Sequence, residues 1–316
     1  MVGILILNYN NTKDIKECID SIVDKIDLSA VKLLVVDNGS TKDNYLNVGC
    51  YLKEKFKNVQ EVLQDDTISN LAQVSYLRLE RNLGYARGNN AGLEFLYRDS
   101  DVNYVMVLNS DIIITEDFLP ILKDYIKMHD NVAVVSPLLY NREGEIDHCC
   151  ARKALSKDVL IKTFSYLQNK EYLKALHTQK ILKQNKDINL NIPIDIELPS
   201  GSCMMFKNDI LQKIGGFDPN TFLYYEENIL YRKINNIGMK CVLLPMVSCI
   251  HTGGATTTSM KTAYFLKKCN YESVLYYLKT YEKCSRIELY YVIITAYLRL
   301  FRLWLGKKYK EIFKNR

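Results

Sequence analysis

The sequence predicts an α/β protein: a mostly parallel sheet flanked by helices, with a helical C-terminal appendage. Three observations carry that expectation. Short, nearly uninterrupted apolar runs recur along the chain, as in strands buried on both faces. Stretches with apolar residues at helical spacing separate these runs. Each run ends in polar residues rich in Asn, Asp and Gly, which suit turns at strand ends.

The first run, VGILIL (2–7), reads as a strand, since it lacks a basic flank and is too short for a secretory signal. From Asp14 onward, Ile15, Cys18, Ile19, Ile22, Val23 and Ile26 share one helical face. VKLLVVDNGS (31–40) is a second strand closing in turn residues. The stretch from Thr41 to Gln73 is long for one crossover and is expected to hold a helix over 43–57 and a polar excursion. VSYLRL (74–79) and NYVMVLNSD (103–111) are further strands, with a helix over 86–97 between them. A helix over 116–129 precedes a strand over 132–137. The Lys-rich stretch 151–190 reads as a helical insertion. SCMMF (202–206) resumes strand character, a short helix and turn follow, and an apolar run over 241–250 leads into HTGG.

Composition narrows the class. Hydrophobic residues make up 48% and charged residues 25%, which suits a core-forming globular chain. Nine cysteines without a C-x-x-C pair argue for reduced thiols and a cytosolic setting, not a disulfide framework or zinc site. The formal charge of +6 is concentrated in the tail. From Arg286 on there are eight basic residues and two acidic ones, and 8 − 2 = +6. The body is therefore balanced, and no nucleic-acid-binding face is expected. The chain divides into a main domain, 1–257, and a basic, aromatic helical region, 258–316. The uncharged part of that region, Leu289 to Leu298, is short of the ~20 residues a spanning helix needs. Trp304 and several tyrosines beside basic residues suit a helix lying in a membrane interface, at the inner face of a cell membrane. The alternatives are packing on the body or on another subunit, so an oligomer stays open.

In an open parallel sheet, ligands bind beyond the carboxyl ends of the strands. Four such ends carry polar loops here: NYNN, DNGS, ERNLGYARGNN and NSD. Asp37 ends an apolar strand, where it can accept hydrogen bonds from a ribose or base, or simply cap a turn. Gly84, Gly88 and Gly92 surround a helix start, a place that favours anions, with Arg81 and Arg87 nearby. Asp111 beside a diphosphate can hold a divalent cation, and His251 is a candidate second ligand. In FLYYEENILYRK (222–233), Glu226 and Glu227 stand at a helix start. They either offset the helix dipole or remove a proton from a substrate.

The ordered set LNYN, VVDNGS, RNLGYARGNNAGL, LNSD, GGFDPNTFLYYEE and HTGG resembles the family-two glycosyltransferases of the GT-A fold. The likeness is to the rhamnosyltransferase-like branch of bacterial surface-polysaccharide synthesis and covers roughly 1–255. It implies an inverting transfer from a UDP- or dTDP-sugar to a glycan or polyprenyl-linked acceptor, with Mn²⁺ or Mg²⁺. By this resemblance Tyr9 and Asp37 hold base and ribose, and Asn82 and Gly84 form the donor-loop pair. Asn8, Arg87, Asn109 and Ser110 complete the nucleotide-sugar contacts. Asp111 and His251 are the metal ligands. Glu227 matches the general base, with Glu226 also a candidate, and Ile229 replaces a further acid. The competing expectations are an inactive sugar-nucleotide-binding subunit and a sugar nucleotidyltransferase. The latter needs a Gly- and Arg-rich loop after the first strand, which NYNNTKD is not.

Overall fold

The computed structural model describes residues 1–164, 179–184, 188–253 and 260–314. In chain order the strands are β1 (Val2–Asn8), β2 (Val31–Asp37), β3 (Gln60–Leu63), β4 (Val74–Arg78), β5 (Tyr104–Asn109) and β6 (Ile112–Ile114). They continue with β7 (Val132–Tyr140), β8 (Ala151–Arg152), β9 (Ile194–Ile196), β10 (Leu198–Pro199), β11 (Cys203–Lys207) and β12 (Lys240–His251). The helices are α1 (Thr12–Lys25), α2 (Lys42–Lys55), α3 (Gly84–Arg98), α4 (Leu119–Met128) and α5 (Lys157–Phe164). The rest are α6 (Ile181–Gln184), α7 (Asn208–Lys213), α8 (Glu226–Asn236), α9 (Met260–Thr280) and α10 (Arg286–Lys314).

One sheet runs β3-β4-β2-β1-β5-β11-β7-β12-β6, with β9 beside β12. The half from β3 to β5 is parallel, as expected of its apolar strands. Every residue of β2 is buried. Even Lys32 is, because its ammonium meets Asp99 Oδ2 at 2.6 Å. Helix α3 lies close on this half: a Cβ on Gly92 would come within 2.5 Å of Leu5 and 2.8 Å of Val36.

The structure departs from the expectation in two places, the excursion 41–73 and the stretch 151–190, and the sheet, mostly parallel as expected, also carries antiparallel strands. The excursion 41–73 contains β3, whose only buried residue is Val62, too weak a pattern to read as a strand. Strand β11 runs antiparallel between β5 and β7, and β6 and β9 are antiparallel to β12. Apolar composition carries no strand direction. The stretch read as a helical insertion opens instead with β8, which pairs with β10 in a small second sheet; α5 and α6 follow. Its residues 165–178 and 185–187, like the expected boundary near 257, lie outside the described residues.

The C-terminal helices α9 and α10 build a second core. Tyr271, Val274, Tyr277, Leu278, Val292, Ala296 and Leu300 enclose Ile229 of α8 and Leu160 of α5. Ile229, the position where the resemblance expects an acid, is 1% exposed. Its side chain is an anchor between α8 and the appendage, which accounts for the change of residue type. Polar contacts reinforce the joint: Arg232 pairs with Glu282 and donates to the Tyr277 hydroxyl. Helix α10 is longer than the uncharged run Leu289–Leu298 implied. The segment Arg286–Gly306 is long and apolar enough to cross a membrane by length and composition alone.

Replacing Ile229 with Asp buries an unpaired charge in this joint. We expect a loss of about 3–5 kcal/mol, the scale for an uncompensated buried charge. Urea denaturation checks it; an unchanged midpoint contradicts the packing described.

Candidate active site

The parallel register sets the floor of the site. Asn8 stands opposite Asp37, and Leu7 opposite Asn109, so three neighbouring strands end level with one another. Asn8 and Asp37 are fully buried. Neither amide atom of Asn8 has a hydrogen-bond partner among the described residues, and Asp37 Oδ2 has none. Asp37 Oδ1 accepts from the Ser40 amide at 3.0 Å. Burial raises the Asp37 carboxyl above the usual range, opposed by Ser40 and the charge of Arg78. Buried polar groups without partners call for an occupant, whether water or ligand. Tyr9 is exposed beside them.

The loop before α3 is stapled from both sides. Asn38, which sequence reasoning missed, accepts from the Leu83 amide at 2.9 Å. Its Nδ2 donates to Asn82 Oδ1 at 3.1 Å and to the Gly84 carbonyl at 3.0 Å. Asn82 Oδ1 in turn accepts from the Gly84 amide. Gly84 has φ +81°, and a Cβ there would sit 2.2 Å from the Phe222 carbonyl oxygen. That carbonyl accepts from the Tyr85 amide at 2.9 Å. Asn90 makes a two-way contact with the backbone of Phe217. Arg87 is exposed, and its Nε donates to the Pro219 carbonyl at 2.6 Å. Of Asn82 and Arg87, both expected as nucleotide-sugar contacts, Arg87 thus braces the segment that leads to Glu226, and Asn82 shapes the turn into α3.

At the other end of the floor, Ser110 is buried and Asp111 follows. Pairing of β6 with β12 sets Ile112 opposite His251. His251 Nε2 lies 3.5 Å from Asp111 Oδ2, and Nδ1 lies 3.2 Å from Asp147 Oδ2. Burial acts to lower the imidazole, but the two carboxylates outweigh it and push His251 up to about 10. The His251 contact, assisted by the Cys149 amide, holds Asp147 down at about 2. Asp147 was not foreseen, because no spacing links a turn after β7 to the end of β12. Among the described residues no group of three His, Cys, Asp or Glu side chains is arranged to hold a metal.

A cleft of about 470 Å³ opens here, lined by Asn109, His251, Tyr85, Arg152, Glu226 and Glu227 among others. Asn8, Tyr9 and Asp37 do not line it and lie at the adjoining strand ends. The glutamates enter through an unusual turn: Tyr224 and Tyr225 are both left-handed, with φ of 75° and 70°. Glu227 Oε1 accepts from the Gly201 amide at 3.1 Å and lies 3.4 Å from Arg152 Nη2. Glu226 is buried, with Oε1 unpartnered among the described residues. Burial, aided by the charge of Glu227, raises it to about 8. Of the three aromatics ahead of them, Phe222 packs edge-on to Phe265, while Tyr224 and Tyr225 both line the cleft and Tyr225 also packs against Tyr277.

A family model described as Glycosyl transferase family 2 matches residues 3–215. The chain belongs to glycosyl transferase family 2. This family 2 chain is 25% identical over 263 residues to the low-salt glycan biosynthesis hexosyltransferase Agl10 of Haloferax volcanii, covering 83% of this chain and 71% of that protein. Among solved structures it is similar to GalNAc-T7 with UDP, GalNAc and Mn²⁺ (TM-score 0.58, 14% identity). That match covers 88% of this chain but 47% of the other, so the chain spans about half its length. It is also similar to the mannosyltransferase PcManGT from Pyrobaculum calidifontis in complex with GDP-Man and Mn²⁺ (TM-score 0.54, 14% identity, 94% and 73% covered). At this identity the two structures show the fold, which is GT-A.

The environment of Glu226 makes a pH prediction. Its folded value, about 8, lies above the ordinary 4.5, so the folded state holds the extra proton between them and stability falls as pH rises through that window. Glu226→Gln removes this penalty. Its thermal midpoint should match the parent near pH 4.5 and exceed it increasingly up to pH 8. Parallel pH profiles for the two proteins contradict the assignment.

Proposed function

We propose that the chain is an inverting glycosyltransferase, transferring a sugar from a UDP- or dTDP-activated donor to a hydroxyl of a glycan or lipid-linked acceptor. The observation that carries this reading is the placement of Glu227: a carboxylate anchored through one oxygen, in a cleft shared with Asn109 and His251. The acceptor hydroxyl gives its proton to Glu227 as its oxygen attacks the anomeric carbon, and the nucleoside diphosphate leaves. Asn8 and Asp37, with their unpartnered atoms, suit the nucleoside, and Tyr9 suits the base. We take the sugar to be a hexose or 6-deoxyhexose, a reading supported by the likeness of the motifs to rhamnosyltransferases.

The donor set fits a divalent cation. Asp111 and His251 offer an oxygen and an imidazole nitrogen 3.5 Å apart, and Asp147 fixes the far side of the ring, as second-shell carboxylates do. Asp111 and His251, the imidazole giving up its proton on binding, would hold Mn²⁺ or Mg²⁺, which would offset charge developing on the leaving diphosphate. The exposed side chains of Ile287, Tyr290, Ile294, Tyr297 and Phe301 form an apolar stripe along α10. It supports attachment at a membrane surface, where a lipid-linked acceptor resides, and so a peripheral site at the inner face of a cell membrane.

Two outcomes are expected. Glu227→Gln should reduce transfer at least about 100-fold, in line with the loss of a general base, while calorimetry shows UDP or dTDP binding retained; undiminished turnover removes Glu227 from the role. The full chain should sediment with anionic phospholipid vesicles, and Ile294→Glu with Phe301→Glu should abolish it. Equal sedimentation of the double variant contradicts the membrane assignment.

A further inference from the structure

We propose that Arg152 is a positioning residue that orients Glu227 and balances its charge, leaving one oxygen of the carboxylate to take the acceptor proton. The inference rests on the reading of Glu227 as the base. Its starting point is the small sheet of β8 and β10, where Arg152 pairs with Leu198 and Ala151 with Pro199. This pairing carries the chain from Pro199 straight into Ser200 and Gly201. The two groups that hold Glu227, the Arg152 guanidinium and the Gly201 amide, therefore come from one strand of this small sheet and from the turn that directly follows the other.

Each of those groups is itself fixed. Arg152 Nε donates to the Cys149 carbonyl at 3.0 Å, and the Arg152 carbonyl accepts from the Glu197 amide at 3.1 Å. The Tyr85 hydroxyl donates to the Gly201 carbonyl at 2.5 Å, which orients the peptide plane. Both contacts to Glu227 fall on Oε1. Oε2 has no hydrogen-bond partner among the described residues. A fork with one arm tied to a carbonyl and the other beside a carboxylate is stiffer than an ammonium on a flexible stem.

The charged and titratable groups facing Glu227 are Arg152 from β8, Glu226 on its own helix and Tyr85 from α3. Arg152 is the cation in contact with it among the described residues. In the transfer step, the acceptor O–H bond breaks and the proton passes to Glu227 Oε2. The acceptor oxygen bonds to the anomeric carbon, and the bond to the diphosphate oxygen breaks with its electron pair leaving on the diphosphate. Arg152 touches none of the reacting atoms and acts through Glu227.

The test compares Arg152→Met and Arg152→Lys with the parent, reading kcat and KM separately and UDP or dTDP binding by calorimetry. For Arg152→Met, kcat should fall at least about tenfold, with KM for the donor and nucleotide Kd unchanged within about twofold. Arg152→Lys should recover part of kcat, since it restores the charge without the fork. Weakened nucleotide binding with kcat unchanged overturns the proposal and makes Arg152 a diphosphate contact. Unaltered kcat in Arg152→Met overturns it as well. Should Glu227→Gln retain turnover, the reading of the base fails independently of Arg152.

Discussion

The site depends on one backbone constraint, the pair of left-handed tyrosines that turns the chain into α8. Two consecutive non-glycine residues at positive φ cost on the order of 1–3 kcal/mol each, so the surroundings must hold them there. The Phe222 carbonyl is bound by the Tyr85 amide, and the Leu223 carbonyl by the Ser273 hydroxyl. Asp218 accepts from the hydroxyls of Tyr276 and Tyr281 at 2.8 and 2.6 Å. Tyr225 leans on Tyr277, with ring centroids 5.4 Å apart. Thus the donor loop grips one side of the turn and the C-terminal helices the other. The appendage is part of the device that aims Glu226 and Glu227.

The turn also separates two adjacent carboxyls into different environments. Glu226 goes under the surface, where burial favours its neutral form. Glu227 faces the cleft and meets a cation and an amide. Their sequence neighbours are the same; their surroundings are set by strands far away in the chain. On the opposite wall, His251 is held between Asp111 and Asp147 by the pairing of β6 with β12. Each wall therefore owes its chemistry to strand pairing, not to any local motif alone.

The strands whose ends form the floor were legible because they are buried on both faces and so read as apolar runs ending in Asn8, Asp37 and Asn109. The helix start at Glu226 and the strand end at His251 were legible for the same kind of reason. Strand β3 was not, since a half-exposed QEVL carries almost no period. Asn38, Asp147 and Arg152 were not legible either. Asn38 acts through a loop more than forty residues away, and Asp147 through a strand about a hundred residues away. Arg152 sits in a two-residue strand inside a stretch whose lysines suggested helix. Ile229 was visible as a departure from the family pattern, but its explanation needed α9 and α10, whose faces against the body the sequence does not mark.

The central claim is that neighbouring strand ends and the start of α8 set the buried pair Asn8 and Asp37 beside one cleft, whose lining includes Glu227 and His251, with Asp111 against the His251 ring. The most direct measurement is a crystal structure with a nucleoside diphosphate and Mn²⁺, using anomalous scattering to locate the metal. The account predicts the Mn²⁺ peak between Asp111 and His251 Nε2, with the diphosphate on the ion and the nucleoside over Asn8 and Asp37. A nucleotide bound elsewhere, or a metal peak away from both ligands, contradicts it.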